Sequence, residues 1–295
     1  MGAIITEMGH VALRVRNLDE AMAHATEILG LRVVERENGN AFLSCGARHH
    51  DLQLIESDKL ALDHISFEAS GSQALDQLSS ILARRGVKVF SDRPQELGLG
   101  QALRFAAPGG FSFEVYAQME RVDPSFKGPG VRPRKYGHTT LRVESVAEME
   151  DFLSRVLGFI PSDRVGDTFL WMRCNTDHHG VAMLGAPPVG LHHYAWEVEN
   201  WSFLKQLGDH LLAHGKRFIY GPGRHGPGRN LFCYHLDGAG ACCEYTADVQ
   251  RIEDENWHGA DWANEPYWVN QWGPNAPEEF LGLCVPVATK AEVVR

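Results

Sequence analysis

Four residues recur as a set in each half of this chain: His10, His50, His64 and Glu114 in the first, His138, His179, His193 and Glu244 in the second. The outer histidine precedes the inner one by 54 and 55 residues, the glutamate follows after 50 and 51, and each His-His pair stands 14 residues before the inner histidine. Flanking text repeats too: GHVALRV against GHTTLRV, CGARHHDLQLI against CNTDHHGVAML, LDHISFEA against LHHYAWEV, and FSFEVYA against CCEYTA. Self-similarity on this scale marks an ancestral duplication and sets the architecture before any local reading. Two imidazoles and one carboxylate gathered by a fold can hold Fe(II) with positions left open for oxygen and substrate, so the repeated set points to a metal oxygenase.

Each half divides again. Residues 9–16 alternate like a strand, Leu18 to Leu29 has helical spacing and stops at Gly30, and strand-like runs follow at LRVVERE, AFLSCG and HHDLQLIES. A second such unit runs from DHISFEA through a helix at ALDQLSSILARRG to strands at VKVFSD, ALRFAA and FSFEVYAQ. A third begins near Tyr136, with its helix at AEMEDFLSRVLG, and a fourth runs from LHHYAWEV through WSFLKQLGDHLLAHG to RFIYG, LFCYHLD and CCEYTAD. The expected class is α+β, with two homologous domains, each a pair of βαβββ modules forming a curved sheet around a central cavity. Residues 121–135, RVDPSFKGPGVRPRK, read as the boundary segment. The domains are then 1–130, 131–248 and a Trp-rich extension, 249–295, expected to pack on the second domain.

Successive side chains on a strand face opposite sides, which gives the histidines a direction. His138, Thr140 and Arg142 share one face and Thr139, Leu141 and Val143 the other; His193 likewise opposes Tyr194, Trp196 and Val198. The apolar faces belong under the helices, so the histidines point into the concave side. His192 is expected on the face opposite His193, in a structural role. A single strand histidine is ordinarily a hydrogen-bonded structural residue, whereas three matched inward positions make a ligand set.

The second half resembles the catalytic module of the type I extradiol ring-cleaving dioxygenases, in the vicinal oxygen chelate superfamily that also includes glyoxalase I and bleomycin-resistance proteins. The matching text covers about residues 5–248, and its most specific segment is GRHGPGRNLFCYHLDGAGACCEYTAD, with DHHGVAM and LHHYAWEV similarly close. The resemblance implies that His138, His193 and Glu244 bind the metal, that His179 is a second-sphere acid/base, and that His225 and Tyr234 hydrogen-bond the substrate oxygens. The metal it implies is Fe(II), with Mn(II) the less favoured ion for the same donors. The implied reaction is cleavage of a catechol by O2, inserting both oxygen atoms to give a ring-opened semialdehyde or keto acid in aromatic compound catabolism. Family members are commonly homo-oligomers, and the same is expected here. The first half has no histidine in VKVFSDRPQELGLG, the stretch equivalent to the one holding His225, and Arg104 stands ten residues before Glu114 where Tyr234 precedes Glu244. His10, His64 and Glu114 are therefore expected to be a structural relic.

Composition narrows the partners. A chain of 295 residues with 44% hydrophobic and 22% charged residues is globular, and a net charge of −10 without blocks of like charge argues against nucleic acid or an anionic membrane. Six cysteines without CxxC spacing suit a reduced, cytoplasmic setting. No apolar run approaches the roughly 18 residues that span a membrane. GPGRHG at 221–226 fits G-x-G-x-x-G but is followed by a strand, so it fails as a dinucleotide fingerprint. The competing functions are a non-catalytic binding member of the superfamily and a glyoxalase-like isomerase; a sequestering protein has no need of His179, His225 and Tyr234 around its metal.

Overall fold

Each quarter of the chain folds as one strand, one helix and three more strands, in a computed structural model that describes residues 4–254 and 256–293. The first quarter holds β1 (Ile5–Val15), α1 (Leu18–Glu27), β2 (Arg32–Glu37), β3 (Asn40–Ser44) and β4 (Leu52–Glu56). The second holds β5 (Ala61–Ala69), α2 (Ser72–Arg84), β6 (Val89–Ser91), β7 (Leu99–Ala106) and β8 (Ser112–Met119). The third comprises β9 (Lys135–Val143), α3 (Val146–Phe152), β10 (Ile160–Val165), β11 (Phe169–Arg173) and β12 (Val181–Gly185). The fourth comprises β13 (Gly190–Glu197), α4 (Trp201–Ala213), β14 (Tyr220–Arg224), β15 (Leu231–Leu236) and β16 (Cys242–Ala247). Side-chain caps start three of the helices: Asn17 accepts from the Glu20 amide, Ser145 from Glu148 and Asn200 from Ser202.

The two halves form separate sheets of the same order. The first runs β2-β3-β4-β1-β5-β8-β7-β6 and the second β10-β11-β12-β9-β13-β16-β15-β14. The α+β class and the pairing of two modules in one sheet are as the sequence indicates. Val11, Leu13 and Val15, and likewise Leu141, Val143, Tyr194 and Trp196, are buried in the main apolar core, leaving the opposite faces of these strands for the histidines. Two segments depart from the expected runs. The helix after Ser145 widens into a π turn over Leu153–Leu157 before Gly158 ends it at φ 79°. The strand expected at RFIYG begins only at Tyr220 and continues through Pro222, tolerated because β14 is an edge strand.

The segment after residue 248 adds a crossing strap. Ala260 and Trp262 hydrogen-bond the main chain of Arg164 along β10, covering that sheet edge. A short helix, α5 (Glu278–Leu281), precedes β17 (Val285–Pro286), which pairs with Gly190 and Leu191 of β13. The chain then passes to the N-terminal sheet, where Ala288 donates to Leu62 and the main chain of Glu292 accepts from Arg14. The segment thus extends beyond the C-terminal domain, the only domain on which the sequence was expected to pack it. No helix among the described residues is long and apolar enough to cross a membrane, and all six cysteines are free.

Arg142 ties this strap to the sheet. Its guanidinium is largely buried and donates to the carbonyls of Pro187, Pro188 and Leu281. Hydrogen bonds to a charged group contribute roughly 1.5–3 kcal/mol each before coupling. Arg142→Ala is expected to destabilise the protein by about 2–3 kcal/mol and to make the chain after residue 270 sensitive to protease, as read by denaturant titration and fragment mass.

Candidate functional site

Strand register brings the repeated set together. In the C-terminal sheet β13 lies between β9 and β16, and Ala195 of β13 stands opposite His138 on one side and Glu244 on the other. His193 lies two residues before Ala195 and so shares its face. The result is a cluster of three buried donors whose atoms all lie within 4.8 Å of one another. The Nε2 atoms of His138 and His193 approach Oε2 of Glu244 to 2.9 and 3.2 Å. That oxygen is buried yet lacks an aligned hydrogen bond. Burial opposes charge on Glu244, but the facing imidazoles outweigh it and hold the carboxyl well below the usual carboxylate range. Convergent imidazoles on an anionic oxygen left without full hydrogen bonding fit a divalent cation bound by N and O donors.

The other sequence-derived residues border the same cavity. His179, His225 and Tyr234 line it with the three donors, and its walls are Phe169, Trp171, Leu184, Trp268, Val269 and Phe280. The ring of His179 lies 4.3 Å, centroid to centroid, from that of His138. Burial and the neighbouring imidazoles push its pKa well down, so it is neutral at pH 7. His225 is also neutral, lowered to about 4 chiefly by burial, while burial and the Glu244 charge raise Tyr234. The Nδ1 of His225 is 2.6 Å from the Val269 carbonyl, which can only accept, so Nδ1 carries the proton. Nε2 is then the acceptor for the Tyr234 hydroxyl at 3.0 Å. Asn230 supports Glu244, its Nδ2 lying 3.4 Å from Oε1.

His192 corrects the sequence reading. A register shift between Leu191 and His193 forms a β-bulge, which breaks strict alternation and brings His192 to the cavity side. Its Nε2 faces the Phe280 carbonyl at 3.1 Å and its Nδ1 faces Nδ1 of His193 at 2.7 Å. Because the carbonyl only accepts, Nε2 of His192 carries the proton, its Nδ1 accepts from Nδ1 of His193, and the lone pair of His193 lies on Nε2, the atom it would offer to a cation shared with Glu244. Only the doublet His192-His193 hinted at this role.

The N-terminal cluster is built on the same register, with Ala12 opposite His64 and Ser66 opposite Glu114, but other groups fill it. Glu96, which the sequence reading missed, sits in the loop equivalent to the one holding His225. Its carboxylate lies 2.8 Å from the Nε2 of both His10 and His64 and 3.3 Å from that of His50. Arg104, at the position of Tyr234, pairs with both Glu96 and Glu114. His64 has a carboxylate on each ring nitrogen, with Asp63 2.8 Å from Nδ1. Burial and Arg104 oppose its charge, yet Glu96 and Asp63 outweigh them and raise its pKa to about 9. A glutamate facing an arginine eight residues later in this segment was the available signal.

The raised His64 value makes the cluster sensitive to alkali. Its contribution to stability is complete below about pH 6.5, the ordinary histidine value, and is lost as pH rises through about 9. The thermal midpoint is expected to decline between pH 7 and pH 10 more steeply in the parent protein than in His64→Gln, as measured by calorimetry in both.

Known proteins resemble this chain in sequence and fold. The model of the Glyoxalase/Bleomycin resistance protein/Dioxygenase superfamily matches residues 7–115 and 135–240. A manganese-dependent 2,3-dihydroxybiphenyl 1,2-dioxygenase from Geobacillus genomosp. 3 is 28% identical over 290 residues, covering 89% of this chain and 91% of the relative. A metapyrocatechase from Pseudomonas sp. (strain CF600) is 27% identical over 253 residues, covering 79% and 82%. Among solved structures, the Mn(II)-bound glyoxalase from Novosphingobium aromaticivorans superposes with a TM-score of 0.89 at 29% identity, covering 98% of this chain and 97% of that one.

Proposed function

We propose, for a chain that belongs to the Glyoxalase/Bleomycin resistance protein/Dioxygenase superfamily, that the C-terminal cluster holds Fe(II) and cleaves an uncharged catechol by extradiol attack of O2. The observation that carries this reading is the set of three buried donors lining a cavity with largely apolar walls, together with His179, His225 and Tyr234. His138, His193 and Glu244 hold the ion. Mn(II), named for two of the similar proteins, suits the same donors. When bound, such an ion supplies open positions for two vicinal substrate oxygens and for dioxygen, and a path for electrons between them.

The side chains of the chain do the rest. The Tyr234 hydroxyl, donating to His225, keeps lone pairs with which to accept a hydrogen bond from a substrate hydroxyl. His179 is neutral and presents a ring nitrogen able to take up a proton and return it as oxygen is reduced. The aromatic walls exclude water and stack on a flat ring. The lining contains no lysine or arginine, which supports a substrate without a carboxylate. The N-terminal cluster holds no metal in this reading: the Arg104 guanidinium supplies positive charge beside Glu96 and Glu114, and His64 has no lone pair to offer.

The similarity to a Mn(II)-bound glyoxalase supports a second reading, isomerisation of a thiol adduct of a 2-oxoaldehyde. Oxygen uptake decides between them. Protein loaded anaerobically with Fe(II) is expected to bind one ion per chain, to consume O2 with alkyl- or aryl-substituted catechols, and to release a coloured ring-opened product. His179→Ala is expected to retain the ion and lower kcat by about 10²-fold or more. No uptake with any catechol, together with turnover of the hemithioacetal of methylglyoxal and glutathione, would favour the isomerase. A catechol bearing a carboxylate is expected to show a KM at least about tenfold above its uncharged analogue, about 1.4 kcal/mol of lost binding, because the buried lining offers no cation; equal KM values would remove that specificity argument.

A further inference from the structure

His178, next to His179, is wholly buried and lies outside the three donors and the cavity lining. Its Nδ1 lies 3.0 Å from Nδ1 of His179, and its Nε2 lies 3.2 Å from Oδ2 of Asp163 on β10, a close contact that is not an aligned hydrogen bond. Asp163 is itself buried and held by the C-terminal segment: the Ala260 amide donates to Oδ1 at 2.8 Å and the Trp262 indole N–H to Oδ2 at 2.9 Å. These contacts form a line from the strap, through a carboxylate and one imidazole, to the imidazole at the cavity.

We propose that Asp163 and His178 are positioning residues that hold His179 in the tautomer protonated on Nδ1, so that its Nε2 lone pair is presented to the cavity. The proposal rests on the dioxygenase reading of the site for its catalytic consequence, though the tautomer is a property of the chain alone. His178 and Asp163 belong to no cluster of three donors able to share a cation among the described residues, so the repulsion between a carboxylate and a lone pair puts the proton on the His178 nitrogen facing Asp163. His178 Nδ1 is then an acceptor, and of the two Nδ1 atoms 3.0 Å apart, that of His179 must donate. Nε2 of His179 is left with its lone pair.

The N-terminal half contains the same line with an exposed carboxylate at its end. His49 and His50 face each other through Nδ1 at 3.0 Å, and Nε2 of His49 lies 3.2 Å from Oε2 of Glu35. Glu35 and Asp163 each directly follow a bulge and stand opposite an aromatic residue, Phe42 and Trp171. The Glu35 side chain is 44% exposed, whereas that of Asp163 is 3% exposed. The strap has therefore buried and fixed the carboxylate only in the half where the neighbouring imidazole borders the cavity. An exposed carboxylate is free to trade its histidine for water; one held by an amide and an indole is not.

The test reverses the line. Removing the indole donor with Trp262→Phe leaves Oδ2 free for His178. Adding Asp163→Asn in that background lets the amide oxygen keep the Ala260 bond while the amide nitrogen donates to Nε2 of His178. The proton of His178 then moves to Nδ1, and that of His179 to Nε2. In ¹⁵N-histidine-labelled, metal-free full-length protein, with His179→Ala used to assign the signals, His179 is expected to exchange its protonated and bare nitrogens between Trp262→Phe and the double variant. In Fe(II)-loaded protein the double variant is expected to lose about 10²-fold in kcat, with metal content and catechol KM within twofold of Trp262→Phe; Trp262→Phe/Asp163→Glu, which restores the carboxylate, is expected to recover most of kcat.

An unchanged His179 nitrogen pattern in the folded double variant overturns the proposal, as does a kcat within twofold of Trp262→Phe when the pattern has exchanged. Should the double variant not fold, His178→Phe, which removes the acceptor at Nδ1, reads the same pattern. If the parent protein cleaves no catechol, the dioxygenase reading fails while the nitrogen spectrum still decides the tautomer.

Discussion

A glutamate carboxylate buried on an interior strand of each sheet is the constraint around which both halves are organised. Glu114 and Glu244 are fully buried on β8 and β16, where an uncompensated charge would cost several kcal/mol. The N-terminal half answers with side chains: Arg104 crosses from the adjacent strand, and Glu96 enters from the loop to bridge Arg104, His10 and His64. The C-terminal half has Tyr234 in place of the arginine and His225 in the loop that elsewhere carries Glu96. It therefore keeps two imidazoles on an oxygen without an aligned hydrogen bond and a cavity beside them. One duplicated frame thus gives a closed ion-pair cluster and an open donor set.

The C-terminal strap completes what the open half lacks. Val269 and Phe280 contribute carbonyls that select the protonated nitrogens of His225 and His192, while Trp268 packs on Phe169 and Trp171 at 5.7 Å from each ring centroid. Two different tasks, screening from water and assigning protons, are done by the same stretch of chain. Screening matters because hydrogen bonds and charges act more strongly where water is excluded. Arg142 connects the strap to the strand that carries His138, so the cavity wall and one of the three donors rest on a single element.

Much of the site is legible before folding because duplication preserved spacing. His138, His193 and Glu244 are far apart in the chain, but each has a counterpart at nearly the same interval, and alternation along β9 and β13 assigns the two histidines to one face. His192 escapes that reasoning because a bulge adds a residue to one strand without changing its composition. Glu96 escapes it because a carboxylate in a polar loop ordinarily faces water. The carbonyls of Val269 and Phe280 escape it entirely, since a main-chain acceptor is common to every residue and leaves no mark in the sequence.

The order of amino acids alone settles the fourfold βαβββ plan, the candidate donors and the half in which His225 and Tyr234 accompany them, because these are facts of periodicity, interval and residue type. Folding alone sets which ring nitrogens face the cavity, that the N-terminal donors are neutralised by an arginine, and that the tail reaches across both sheets. Those outcomes depend on where distant segments meet. A proton's position on an imidazole is fixed by the partner at its far side, and that partner is supplied here by chain more than 40 residues away for His225 and more than 80 for His192.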